Sequence, residues 1–298
     1  MKKCARILAT CFKAKRVVEK TLLAGHPLGY YYHSQNFTTE QDIIELLKFN
    51  IKQEKKIDPG LQRDLIIVNS DIGSEIGNEF VMSLEGEPLQ KGNIRVIQRN
   101  NVGLSFGAYS DAFKLFRNEY EYFIFTEDDL SILENNYVKK SIELFESSKN
   151  AGFLAFVGKT KIKRGHWKAL GITEKKNAFG CHGACGLSSS KILGEIFDAH
   201  GMLPHNQTDE YQSGITFGEV ALPLAISRAG YELVDQPKDT YFAIPSYDVM
   251  RGIKVVKFPN SLDKLIFYLK HYLYRLFSLN KYTKKFYIKI LSLRKKIF

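Results

Sequence analysis

YFIFTEDD, residues 122–129, is an apolar, aromatic and β-branched run that ends in three consecutive carboxylates. Its first four residues have the composition of a buried strand. Glu127, Asp128 and Asp129 sit at the tip, where like charges are costly unless something positive neutralises them. A hard divalent cation with oxygen ligands, which in turn holds a phosphate, is one answer. A solvated turn ahead of a helix is the other. The triplet alone does not separate the two, so the flanking sequence has to.

Working outward, residues 5–11, 65–68, 94–97, 151–157 and 231–234 are further short apolar runs that read as strands. Helices are predicted over 38–55, 110–116, 136–147 and 217–229. The first of these carries a capping box at Thr38-Thr39-Glu40-Gln41. Its apolar face is Ile43, Ile44, Leu46, Leu47 and Ile51, and Pro59-Gly60 closes it. Strands alternating with helices, and apolar enough to be buried on both faces, predict an α/β fold: an open, mostly parallel sheet flanked by helices, Rossmann-like in outline. Ligands of such sheets sit beyond the carboxyl ends of the strands. Four strands end there in polar residues: Thr10; Asn69 and Asp71; Arg99 to Asn101; and Glu127 to Asp129. A purely structural layout has no need of that convergence.

Asn101-x-Gly103-x-x-x-Gly107-Ala108 follows a strand and opens a helix. Glycines in such a turn let an anion approach the helix N-terminus, although an ordinary strand-to-helix turn also uses them. The spacing is neither the dinucleotide GxGxxG nor a P-loop.

Composition bounds the remaining classes. The 298 residues are 44% hydrophobic and 25% charged, as in an ordinary globular chain. Of the formal charge of +11, residues 260–298 carry +9, with ten Lys/Arg against Asp263. A near-neutral body argues against a nucleic-acid-coating surface. The four cysteines, with no export signal apparent in MKKCARILATCFKAKR, fit free thiols in a reducing, cytoplasmic compartment. Cys181-His182-x-x-Cys185 lacks the second ligand pair that structural zinc requires. No apolar run is long enough for a membrane-spanning helix. The stretch SLDKLIFYLKHYLYRLFSL, residues 261–279, puts Leu262, Leu265, Ile266, Leu269, Tyr272, Leu273 and Leu276 on one helical face. That composition predicts a basic amphipathic helical tail, residues 259–298. Either it lies in an anionic membrane interface, on the inner face, or its first helix packs on the domain formed by residues 1–258. Residues 159–179, with the only tryptophan, Trp167, read as a loop that orders over substrate or as a solvated insertion.

In their order, these motifs resemble the family-2-like glycosyltransferases of the GT-A fold. ILATCFKAKR resembles the first strand and turn of that family, LIIVNSD the second strand, and RNNVGLSFGAYSDAF its Asn-x-Gly segment. YFIFTEDDL resembles the Asp-x-Asp strand in a Glu-Asp-Asp form. FGCHGACGLSSSKIL resembles the small-residue segment behind the donor sugar, and TFGEVALPLAISRAGYELV the Glu-Asp helix near the acceptor. The resemblance covers roughly residues 5 to 235 and implies transfer from a nucleotide-sugar donor to a hydroxyl of a glycan or lipid-linked acceptor. It implies a divalent metal, Mn2+ or Mg2+, on Glu127 and Asp129, with Asp128 at the ribose or the metal shell. Asn69 and Asp71 become candidates for the base, Arg99 and Asn101 for ribose or phosphate, Gly103 for the phosphate turn, and Thr10 for the base pocket. Which of the three acids is innermost stays open, because the motif aligns one residue either way.

An inverting transfer needs a carboxylate base at the acceptor hydroxyl. The family's helix presents Glu-Asp where this chain has Glu219-Val220, so Glu219 is the expected base, with Asp209 and Glu210 in reserve. Glu219 as a plain cap or lysine partner is the other reading. No histidine is assigned as a ligand. A sugar-phosphate nucleotidyltransferase would need a glycine-rich basic loop after strand one, where this chain has Cys-Phe-Lys-Ala-Lys. A non-catalytic, membrane-associated scaffold of the same fold is the second rival.

Overall fold

The computed structural model describes residues 2–12, 40–162, 179–207, 211–237 and 241–243. Met1–Lys13 with Ile43–Ser246 form one compact unit, and the following account concerns that unit. The tail, residues 163–178 around Trp167, the Thr38-Thr39 cap and the reserve acids Asp209 and Glu210 lie outside the described residues, while the two ends of the expected 159–179 loop are paired strands, Lys159–Lys161 and Phe179–Cys181.

The strands are β1 (Lys3–Thr10), β2 (Gln62–Asn69), β3 (Pro88–Leu89), β4 (Gly92–Gln98), β5 (Tyr122–Glu127), β6 (Ser131–Ile132), β7 (Ala151–Ala155), β8 (Lys159–Lys161), β9 (Phe179–Cys181), β10 (Gly186–Ser189), β11 (Glu232–Asp235) and β12 (Phe242–Ala243). The helices are α1 (Glu40–Lys56), α2 (Glu75–Met82), α3 (Leu104–Phe116), α4 (Tyr137–Ser147), α5 (Ser190–His200) and α6 (Tyr211–Arg228). Eight strands form one mixed, mostly parallel sheet in the order β11-β7-β10-β5-β1-β2-β4-β3. β1 pairs in parallel with β2 on one side and β5 on the other, and β10 runs antiparallel between β5 and β7. The chain leaves β1 towards β2 and β4, then returns past β1 to β5. The order therefore reverses at β1, and the crevice beside it, at the carboxyl ends of β1 and β5, is where an open sheet takes its ligand.

The pleat divides the core. Ala5, Ile7 and Ala9 face one cluster with Phe123 and Phe125 of β5 and Tyr109 and Phe113 of α3, all buried. Cys4, Tyr122 and Ile124 face the other with Val138 and Ile142 of α4. Each buried phenylalanine contributes about 2 kcal/mol of hydrophobic stabilisation. The α4 side also holds an ionic cluster with no exposure at all: Arg6 of β1 and Arg63 of β2 share Glu54 of α1.

Two helices have no counterpart in the sequence reading. α2 is capped by Ser74, whose hydroxyl accepts from the Gly77 amide, and α5 is capped by Ser189, which accepts from Ile192. α3 begins at Leu104, six residues before the predicted start, because Gly107 is a helical position rather than part of the turn. No helix among the described residues is long and apolar enough to cross a membrane.

Candidate active site

β5 ends at Glu127; Asp128 and Asp129 form a turn closed by the Leu130 amide on the Glu127 carbonyl, and burial there shows which acid is innermost. Thr126 and Asp128 lie on the Arg6 face. Asp128 is 1% exposed, and its Oδ2 accepts from the Thr10 hydroxyl at 2.8 Å. Glu127 lies on the opposite, α3 face, where the Ser105 hydroxyl donates to its Oε1 at 2.6 Å. Ser105 is in the first turn of α3, so Glu127 is held at the positive end of that helix. Gly103, the N-cap of α3, has φ of 81°, a conformation in which a side chain would be strained, and it offers no side-chain cap to the helix.

Glu127 and Asp129, the two half-buried acids, act on the same neighbours. Both raise the pKa of the Tyr109 hydroxyl, of the Cys185 thiol and of His182, after larger contributions in each case from burial or from a direct bond. Both acids therefore lie close enough to act on the same three groups. Beside them lies the turn His182–Ala184 between β9 and β10, in which Gly183 and Ala184 both have left-handed backbone, φ 58° and 45°. Gly183 adopts that conformation freely, but Ala184 is strained in it, and a strained residue at a cleft is the kind of feature that accompanies function. A Cβ on Gly183 would stand 2.8 Å from Glu127 Oε2, so only glycine lets the turn pass that close.

Glu219, on α6, reaches the other side of the same turn. Its Oε1 accepts from the Gly183 amide at 3.2 Å and from His182 Nδ1 at 3.0 Å. Its Oε2 has no partner among the described residues. The bond to Glu219 pushes the His182 pKa up to about 9, against the opposing effect of burial, so the ring is an imidazolium at neutral pH. The expected base and an expected metal ligand thus meet across one residue, Gly183. His182, which the sequence reading left unassigned, belongs to the site, and so does Ser105. The one signal for them was position: each lies inside a glycine-bearing segment already singled out.

The β2 and β4 residues behave differently. Asn69 is fully buried, and its amide bonds the Asp71 carbonyl at 3.1 Å, Asn78 Oδ1 at 2.7 Å and the Asp71 amide at 3.0 Å. Arg99 spends three of its five N–H donors internally: Nε to Asp111 at 2.6 Å, Nη1 to Ser70 at 3.1 Å and Nη2 to the Val102 carbonyl at 2.5 Å. Both hold the strand ends in place. Asp71 Oδ1 accepts from Gly73 at 3.0 Å, and Oδ2 has no partner among the described residues. Asn101 Oδ1 is buried without a hydrogen-bond partner, while its Nδ2 lies 3.8 Å from Cys11 Sγ. An orphaned acceptor is a cost that an arriving hydroxyl would remove.

Among the described residues, no group of three or more His, Cys, Asp or Glu side chains is disposed to hold a metal ion. Two carboxylates on one face suit a hard cation that completes its shell with water and substrate phosphates, as Mg2+ does, and Glu127 and Asp129 fit that arrangement. No protein-family model matches this chain, and the curated proteins contain no match to it. An apolar cavity of about 510 Å3 between α5 and α6, lined by Ile196, Phe217, Ala221 and Leu224 among others, lies apart from these carboxylates.

Proposed function

We propose that the chain is an inverting, metal-dependent glycosyltransferase with a GT-A-like domain, acting on a nucleoside-diphosphate sugar. One observation carries the reading: Glu127, Asp129 and Glu219 all act on His182, beside Gly183, at the point where the strand order reverses. Glu219 has the form of a prepared base, with one oxygen held by two donors and the other open. In the transfer, the acceptor hydroxyl gives its proton to Glu219 and its oxygen bonds the anomeric carbon, while the bond from that carbon to phosphate breaks and the diphosphate leaves with the electron pair. A cation on Glu127 and Asp129 would supply neutralisation of the charge that grows on the diphosphate. The orphaned Asn101 Oδ1 suits a ribose hydroxyl and the open oxygen of Asp71 a base amine. Thr10 acts at one remove, through Asp128.

The acceptor class rests on the composition of the tail. Removing residues 259–298 is expected to abolish pelleting of the protein with anionic liposomes; unchanged pelleting would rule out a peripheral membrane role for that segment. The reaction itself is tested by screening nucleotide sugars for hydrolysis without acceptor, with Mn2+ or Mg2+ and with chelator. Chelator-sensitive release of a nucleoside diphosphate from at least one donor is the expected result. No release from any would count against glycosyl transfer.

A further inference from the structure

Asn50 sits in the middle of α1, on the face that docks through Ile43, Leu46, Leu47 and Ile51. A leucine there would pack without a polar group to satisfy, yet the position is a 1% exposed amide. Its orientation is fixed by three bonds. Nδ2 donates to the Asp128 carbonyl at 2.6 Å and to the Leu46 carbonyl at 3.3 Å, and Oδ1 accepts from Arg6 Nη2 at 3.2 Å. Arg6 also holds Glu54 through Nη1 at 2.5 Å and Thr126 Oγ1 through Nε at 3.0 Å, and the Thr126 hydroxyl donates to the Ile7 carbonyl at 3.0 Å. Tyr137 bonds Glu54 Oε2 at 2.9 Å. These contacts form a continuous buried network from the middle of β1, through α1, to the peptide that joins Asp128 to Asp129.

We propose that Asn50 is a positioning residue for the acidic tip: by gripping the Asp128 carbonyl it fixes the following peptide plane, and with it the direction in which Asp129 presents its carboxylate. Asp128 is thus clamped twice, by Thr10 at its side chain and by Asn50 at its backbone. Asp129 is the next residue of that turn and, like Glu127, acts on His182 and Tyr109. This inference rests on the reading of Glu127 and Asp129 as a cation-binding pair for its consequence, but the clamp itself is testable without it.

The sharpest variant is Asn50→Asp. Aspartate has the same shape, still accepts from Arg6, and stays ionised beside that guanidinium, but it has no hydrogen to give the Asp128 carbonyl. Two readouts separate the possibilities: Mn2+ alone titrated by electron paramagnetic resonance, and amide hydrogen exchange at Leu130, whose N–H bonds the Glu127 carbonyl at 3.1 Å. The expected result is a tenfold or larger weakening of Mn2+ binding and a tenfold or larger acceleration of Leu130 exchange, with the β2 amides unchanged. A merely structural asparagine would accelerate β2 and Leu130 together and leave the folded protein's Mn2+ affinity intact; that result, or no change at Leu130, overturns the proposal. If the unaltered protein takes up no Mn2+, the cation reading fails, and Leu130 exchange alone then decides the clamp. Should Asn50→Asp not fold, Asn50→Ser, which keeps a shorter donor, is read by the same two measurements.

Discussion

The two faces of the β5 tip differ in how their polar groups are held. On the α1 face, Arg6, Asn50, Glu54, Thr126 and Asp128 are buried, and each bonds another member of the network. On the α3 face, Glu127, Asp129, His182 and Glu219 are only partly covered, and Glu219 keeps an oxygen open. Glu127, Asp128 and Asp129 are consecutive in sequence, and the end of β5 with the turn after it separates them. Low dielectric strengthens such buried bonds and stiffens the network that they form, while the Arg63 guanidinium in the same cluster is compensated through its ion pair with Glu54. The closed face therefore acts as a foundation, and the open face is where a ligand can still exchange with water.

That contrast predicts different kinds of damage. Glu54→Ala removes the shared partner of two buried arginines, and breaking such a cluster costs about 3–5 kcal/mol. Chemical denaturation should show that loss, and a loss below about 1 kcal/mol would mean that the closed face is not a foundation. Glu219→Gln should leave folding and donor binding intact while lowering transfer by about 10²- to 10⁴-fold, the usual range for a general base. Steady-state kinetics with the donor found by the hydrolysis screen would check it, and equal loss of donor affinity would remove Glu219 from the base role.

The smallest effect is a titration. In metal-free protein, the His182 ring faces Glu219, Glu127 and Asp129, and its resonance should titrate near 9 by NMR. In Glu219→Gln it should fall towards the ordinary value of about 6.5. Since the folded pKa is raised, the pairing adds stability that is complete below about 6.5 and is lost as pH rises through about 9. A His182 that titrates alike in both proteins would show that the pair is not formed in solution.

The sheet was legible because its central strands carry short apolar runs: ILA, LIIV and YFIF declare burial on both faces without help from distant residues. β10 was not, since GLSS has neither β-branching nor length, and its place between β5 and β7 is set by the partners alone. α5 was readable in principle, from the Ser189 cap followed by Ile192, Leu193 and Ile196 at helical spacing. In the site, the acids at the end of β5 were visible, but their facing was not, because past the last ladder pair, Ala9 with Glu127, the chain turns and Asp128 is held by Thr10 and Asn50 from other elements. Arg99 stands at a strand end as expected, but its bonds to Asp111 and Ser70, 12 and 29 residues away, come from tertiary approach and were not legible. His182 was invisible as a site residue for the same reason: its partner, Glu219, is brought to it by α6.

The central claim is that the acids on the open face bind a cation that holds a diphosphate. It is tested most directly by isothermal calorimetry of uridine, guanosine and cytidine diphosphates, each with Mn2+, against the unaltered protein and Asp129→Asn. The account predicts Mn2+-dependent binding of at least one of them to the unaltered protein, and a loss of about a hundredfold or more in Asp129→Asn, equivalent to about 2.7 kcal/mol. Binding that is indifferent to Mn2+, or that survives unchanged in Asp129→Asn, would contradict it.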